Sequence, residues 1–76
     1  MRIAKIKLNS VDDVRDLVEY VSPCNYSVDL SNGSYTIDAK SILGLFGFDL
    51  NRPINLIAHS DDCKELFEKI GRFIVE

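Results

Sequence analysis

The side chains best suited to chemistry in this sequence are one histidine, two cysteines and two serines. His59 is the sole histidine and follows the last predicted strand, where we expect it to be exposed at the rim of a sheet. Cys24 and Cys63 have neither C-x-x-C spacing nor a histidine nearby, which favours small apolar residues at helix ends over a disulfide or a metal site. No pair of carboxylates with a base, no phosphate-binding loop and no constellation of metal ligands is present. We therefore expect no enzyme activity, no cofactor and no bound metal.

The two serines, Ser10 and Ser41, each precede an apolar pattern and are predicted to cap a helix. Ser10 is followed three residues later by Asp13, so its hydroxyl can accept a hydrogen bond from the N–H of that residue in a capping box. Ser41 stands before residues 42–48, which are apolar nearly all round. Replacing such a cap by alanine costs about 1 kcal/mol, so capping alone explains a serine at either position.

The caps belong to a predicted order of elements βαββαβα. Residues 2–8 alternate between two faces, which predicts a half-buried strand, and apolar spacing predicts a helix over 11–22 that ends at Pro23. Asn32-Gly33 predicts a type I′ hairpin turn, and the last helix is predicted to begin at 60–62 and to include Ile74 in its apolar stripe. This order predicts a single α+β domain over 1–76, an open-faced two-layer sandwich with helices on one face of an antiparallel sheet.

Composition and charge limit the partners that such a domain could have. The chain has 76 residues, 46% of them hydrophobic, and a net charge of −3. Its basic residues are scattered, so we expect no nucleic-acid partner. No apolar stretch is long enough for a signal peptide or a membrane span, so we expect a cytoplasmic location and no membrane partner.

The segment 38–45, DAKSILGL, followed by the alternating strand 54–58, INLIA, resembles the HPr family of phosphocarrier proteins of the sugar phosphotransferase system. Residues 39–44, AKSILG, are nearly identical to the regulatory serine motif of that family. Read outward from Ser41 without gaps, the first helix, the second strand and the last helix also fall in register, so the resemblance covers essentially the whole chain. It implies a four-stranded antiparallel sheet of order 1-4-2-3 with three helices on one face.

The chain departs from the family at the phosphorylation site. HPr proteins carry an active-site histidine at the start of the first helix, within Gly-(Leu/Ile)-His-Ala-Arg-Pro. Here Ser10 occupies the histidine position, and Asp12 stands where the resemblance would place the arginine that steadies the phosphate. A serine without an adjacent base is a weak nucleophile, and the carboxylates of Asp12 and Asp13 repel a phosphoryl group. The family's histidine phosphotransfer is therefore not expected in this protein.

The resemblance also implies a regulatory surface. In HPr proteins of low-GC Gram-positive bacteria the serine that matches Ser41 is phosphorylated by a dedicated kinase, and a phosphate at a helix N-terminus meets free N–H groups. Ser41 is therefore a candidate for regulatory phosphorylation. In the predicted helix 42–48, the side chains of Ile42, Leu43 and Phe46 fall outside the inward face and predict a docking surface. The alternative is an ordinary helix in which Phe46 folds back onto the edge of the sheet.

The function predicted from these residues is that of a non-catalytic, bacterial HPr-like protein that regulates by binding protein partners, in carbon catabolite regulation. A histidine-less homologue in some bacilli retains the serine and serves a transcriptional regulator. The resemblance therefore implies a transcriptional regulator, transport components or a kinase as partners. The alternative is a structural module that assembles with a larger protein and has no phosphotransfer role.

Overall fold

The computed structural model describes residues 1–33, 35–41 and 52–75. In this part of the chain the elements are β1 (Arg2–Ile6), α1 (Val11–Val21), β2 (Val28–Ser31), β3 (Thr36–Asp38), β4 (Ile54–Ala58), α2 (Lys64–Lys69) and a 3-10 helix (Ile70–Phe73). All paired strands are antiparallel, and their order in the sheet is β1-β4-β2-β3. The predicted α+β class and the predicted sheet order are confirmed.

Three helices were predicted on one face of the sheet, and the described residues hold two α-helices, α1 and α2. The predicted helix 42–48 lies outside the described residues, and so do the proposed docking residues Ile42, Leu43 and Phe46.

The core lies between the described helices and one face of the sheet. β1 and β4 bury every second residue, as expected for strands covered on one side. On the opposite face Ile3 is 57% exposed and stands directly across from Ile57 of β4. The largest fully buried side chains are those of Ile6, Leu8, Leu17, Leu30, Ile54, Leu56, Ile70, Val14, Val21 and Val28.

The β2–β3 hairpin turns one residue later than predicted. The N–H of Asn32 donates to the carbonyl of Tyr35 (3.1 Å), and the N–H of Tyr35 donates to the side-chain oxygen of Asn32 (3.0 Å). Positive φ occurs at Gly33 (103°) and not at Asn32. The type I′ prediction centred on Asn32-Gly33 is wrong because the Asn32 amide replaces a backbone carbonyl as the acceptor and closes the hairpin.

The start of the last helix also differs from the prediction. α2 begins at Lys64, not at 60–62, because the Ser60 hydroxyl accepts from the N–H of Asp62 (3.0 Å) in a turn before the helix. Cys63 occupies the N-cap position and its side chain makes no capping hydrogen bond.

The last helix also ends earlier than predicted: Ile74, which was expected in its apolar stripe, lies outside the helix. After Lys69 the chain tightens into the 3-10 helix, which contains Gly71, a poor helix former. Ile74 is extended (φ −72°, ψ 125°) and forms an antiparallel bridge with Ile6. The C-terminal segment therefore pairs with the outer edge of β1 and covers part of that sheet edge.

Candidate functional site

Ser10 is the N-cap residue of α1. In the HPr family, which the sequence resembles, the active site lies at this end of the first helix. The Ser10 backbone is extended (φ −154°, ψ 168°), and its hydroxyl oxygen accepts from the N–H of Asp13 at 3.2 Å. The Asp13 carboxylate in turn accepts from the N–H of Asn9 at 2.9 Å. The predicted Ser10 cap is present and its oxygen serves the first turn of the helix, but the return hydrogen bond of the capping box is shifted: Asp13 accepts from the N–H of Asn9, one residue before the cap.

Arg72, which sequence reasoning missed, binds the same end of α1 from the C-terminal 3-10 helix. Its guanidinium lies 3.5 Å from the Asp13 carboxylate and 2.5 Å from that of Asp16, and it donates to the Tyr20 hydroxyl at 3.4 Å. The same group lies over the ring of Phe73, 4.3 Å from its centroid. The hydrogen bonds to Tyr20 and Asp16 raise the pKa of Arg72 above its ordinary value. No local spacing in the sequence signals this contact, because the partners lie far apart in the chain.

The two acids of the first turn therefore differ in their surroundings. The Asp13 side chain is 17% exposed and is neutralised by Arg72, whereas Asp12 is exposed and forms no ion pair with any described residue. In the described part of the chain no side chain accepts a hydrogen bond from the Ser10 hydroxyl, so no base is placed to activate it. Of the two carboxylates predicted to repel a phosphate, Asp13 is thus paired with Arg72 and Asp12 is the exposed one; the repulsion itself stays a prediction.

Ser41 lies on another segment of the chain, at the end of a turn after β3. It is exposed, and its N–H donates to the carbonyl of Asp38 at 3.0 Å. The N–H of Lys40 donates to the side chain of Asp38 at 2.9 Å, which fixes the same turn. The helix that Ser41 is predicted to cap lies outside the described residues, so that role stays a prediction.

His59 lies at the end of β4, the rim position predicted for it. Its Nε2 atom is 2.8 Å from the carboxylate of Asp29, and both side chains are partly exposed. The imidazole therefore has a partner on β2 that accounts for its orientation.

The two cysteines are free thiols and line one cavity of about 520 Å³, between the end of α1 and the start of α2. Tyr26 lines the same cavity, and burial, followed by a hydrogen bond with Cys24, raises the pKa of Tyr26 above its ordinary value. Over residues 1–33, 35–41 and 52–75, no three histidine, cysteine or acidic side chains are grouped as metal ligands would be. None of the helices in these ranges has the length and apolar composition needed to cross a bilayer.

The structure thus brings Ser10 and Asp12 together at one helix end and places Ser41 on a separate turn. The order of the sheet, its antiparallel pairing and the position of α1 define an HPr-like fold. The chain is similar to a solved structure described as HPr-C-His from Thermoanaerobacter tengcongensis, with a TM-score of 0.79 and 18% sequence identity over 97% of this chain and 91% of that one. No protein-family model matches the chain, and no curated protein matches it either.

Proposed function

We propose that this protein is a non-catalytic, HPr-like regulator of bacterial carbon catabolism that acts in the cytoplasm by binding protein partners. The observation that carries the proposal is that Ser10 is a helix cap, at the position where the HPr family has its phosphorylated histidine. The serine oxygen accepts from Asp13, and the neighbouring Asp12 presents a negative charge where a phosphate would need a positive one. A protein that has this fold without that chemistry retains surfaces for recognition.

Regulation in this proposal occurs at Ser41. A kinase transfers the terminal phosphoryl group of a nucleoside triphosphate to the Ser41 hydroxyl oxygen. The bond between that phosphorus and the bridging oxygen breaks, the nucleoside diphosphate leaves, and the hydroxyl proton is released. The exposed turn that Asp38 holds supports access of a kinase to this residue. The modified turn lies next in sequence to Ile42, Leu43 and Phe46, the proposed docking residues, so a new charge changes which partner binds. The partners are a transcriptional regulator, transport components or the kinase itself, and neither nucleic acid nor membrane is among them.

The absence of histidine-type phosphotransfer is tested with phosphoenolpyruvate and the general phosphotransferase enzyme. An HPr protein with the active-site histidine serves as the positive control in the same reaction. Intact-mass spectrometry should find no added phosphate on the present protein, at Ser10 or elsewhere. A stable gain of one phosphate at Ser10 would overturn the proposal.

The docking surface is tested by comparing variants in capture of a transcriptional regulator or transport component from the source cell. Phe46→Glu should abolish capture and leave the circular dichroism spectrum unchanged, and Ser41→Asp should alter capture. Ile3→Glu, which changes an exposed apolar residue of β1, is the matched control and should capture normally.

The sheet face that carries Ile3, which no described helix covers, favours a second candidate, a structural module that assembles with a larger protein and has no phosphotransfer role. Ile3 of β1 is 57% exposed and faces Ile57 of β4, and apolar side chains on an open sheet face are often covered by a partner. The same pair of variants separates the two candidates. Loss of assembly in Ile3→Glu with normal capture in Phe46→Glu would favour this second function.

A further inference from the structure

Lys40 connects two segments that are far apart in sequence. Its ammonium donates to the backbone carbonyl of Cys24 at 2.9 Å and to that of Tyr26 at 3.2 Å. Its own N–H donates to the Asp38 side chain, and the next residue, Ser41, donates to the Asp38 carbonyl. One lysine therefore fastens the turn that carries Ser41 to the loop that follows α1.

The loop that Lys40 holds forms one wall of the cavity of about 520 Å³. Both Cys24 and Tyr26 line this cavity, and the Cys24 thiol donates to the carbonyl of Tyr20 at 3.7 Å. The Cys24 side chain is partly buried, so its access to a reagent in solution depends on where the loop lies. The rate at which the Cys24 thiol reacts with a reagent in solution therefore measures the position of the loop.

We propose that Lys40 couples the state of Ser41 to this cavity: a phosphate on Ser41 draws the ammonium away from the two carbonyls, and the loop then moves and opens the cavity. The inference rests on the proposed function, in which Ser41 is the modified residue. Lys40 is a positioning residue in this scheme, since it acts on the cavity through the loop.

The competition follows from the strengths of the acceptors. The two carbonyls are neutral, whereas a phosphoserine carries a charge of about −1.5 to −2 with three acceptor oxygens. The bonds from the Lys40 ammonium to the two carbonyls are already charge-assisted because the donor is ionised, and a phosphate adds to that the attraction between two opposite charges. The lysine ammonium is a point charge on a flexible stem, so it can turn to a phosphate on the adjacent residue. Its loss leaves the carbonyls of Cys24 and Tyr26 without this donor.

The test uses protein in which phosphoserine is installed at position 41 during synthesis, so that no kinase is needed. Cys63→Ala provides a background in which Cys24 is the one thiol, and the rate of its alkylation by iodoacetamide is measured. Phosphoserine should raise that rate roughly tenfold or more, the change expected when the two hydrogen bonds from the Lys40 ammonium are lost. Amide hydrogen exchange over residues 24–27 is compared with and without phosphoserine in the chain that retains both cysteines. Exchange should be faster with phosphoserine, and this measurement does not need the Cys63→Ala substitution.

Variants of Lys40 decide whether the lysine carries the effect. Lys40→Met with an unmodified Ser41 should raise the alkylation rate to the same extent, and phosphoserine should then add nothing, because the two changes act through one contact. Lys64→Met, at a lysine that itself lines the cavity, is the control and should leave the response to phosphoserine intact.

An alkylation rate that phosphoserine leaves unchanged, or raises equally in Lys40→Met, would overturn the coupling. Failure of every kinase to modify Ser41 in the cell would instead count against the proposed function, since the installed phosphate tests the coupling independently.

Discussion

The guanidinium of Arg72 lies 2.5 Å from the carboxylate of Asp16, although 56 residues separate them in the chain. The same group reaches Asp13 and Tyr20, which lie three residues before and four residues after Asp16 and so share one face of α1. One cation thereby attaches the C-terminal segment to α1 along one face, from its first turn to its last. At the N-terminal turn, the Ser10 cap and the Arg72 contact both involve Asp13.

Replacing Arg72 by methionine should lower the urea midpoint of unfolding, because it leaves Asp13 and Asp16 without their shared cation. The difference from the unsubstituted protein should shrink in roughly 1 M salt, since the contact is partly exposed and is screened. Arg72→Lys should be intermediate, as it retains the charge without the planar fork. Arg15→Met, at an exposed arginine of the same helix, is the control; an equal effect of both methionine variants would show that the contact adds nothing.

The local features of this site could be predicted from the sequence and its long-range contacts could not. Ser10 and Asp13 are three residues apart, so the geometry of a helix start brings them together wherever the helix forms. The position of Arg72 beside Asp16 depends on how the last helix packs on α1, which no spacing in the sequence records. The hydrogen bonds from Lys40 to the carbonyls of Cys24 and Tyr26 could not be predicted for the same reason.

The elements themselves were predicted well where periodicity is strong and less well at their ends. Alternation predicted the buried faces of β1 and β4, and these faces are buried. Ile74 was assigned to a helix because it extends the apolar spacing, but it also suits a strand, and pairing with Ile6 decided between the two. The turn at Gly33 shifted because the Asn32 side chain can act as a hydrogen-bond acceptor, which a pattern of turn residues does not reveal.

Leu66→Ala should lower the free energy of unfolding by about 2–5 kcal/mol, the range for removing a large side chain from a core. Leu66 lies on α2 with 2% of its surface exposed and belongs to the main apolar cluster. Glu68→Ala, two residues away on the exposed side of the same helix, should change it by less than about 0.5 kcal/mol. Urea denaturation of both variants decides this, and similar losses would mean that the faces of α2 are wrongly assigned.

Tyr26 should make the protein less stable at alkaline pH. Its pKa in the folded state is raised above the ordinary 10.0, chiefly by burial and then by its hydrogen bond with Cys24. The folded state therefore holds the phenol proton more tightly than the unfolded state, so this contribution is complete below pH 10 and is lost as the pH rises above 10 towards the folded pKa. Urea midpoints measured at about pH 9 and about pH 11 should fall less in Tyr26→Phe than in the unsubstituted protein. Equal losses in the two proteins would contradict the raised pKa.

The hydroxyl of Ser10 should matter to stability through its cap. Ser10→Ala should cost about 1 kcal/mol, and Ser10→Asn should cost much less because asparagine also accepts from the first turn. Asp13→Ala should be destabilising as well, and the double variant should lose less than the sum of the two single changes, since both changes remove hydrogen bonds at the same helix start. Urea denaturation measures all four proteins. Partner capture by Ser10→Ala should equal that of the unsubstituted chain, because the proposed docking residues follow Ser41 in the sequence and do not include Ser10. If this variant folds normally and loses its partner, the hydroxyl takes part in recognition, and the N-terminus of α1 belongs to the binding surface.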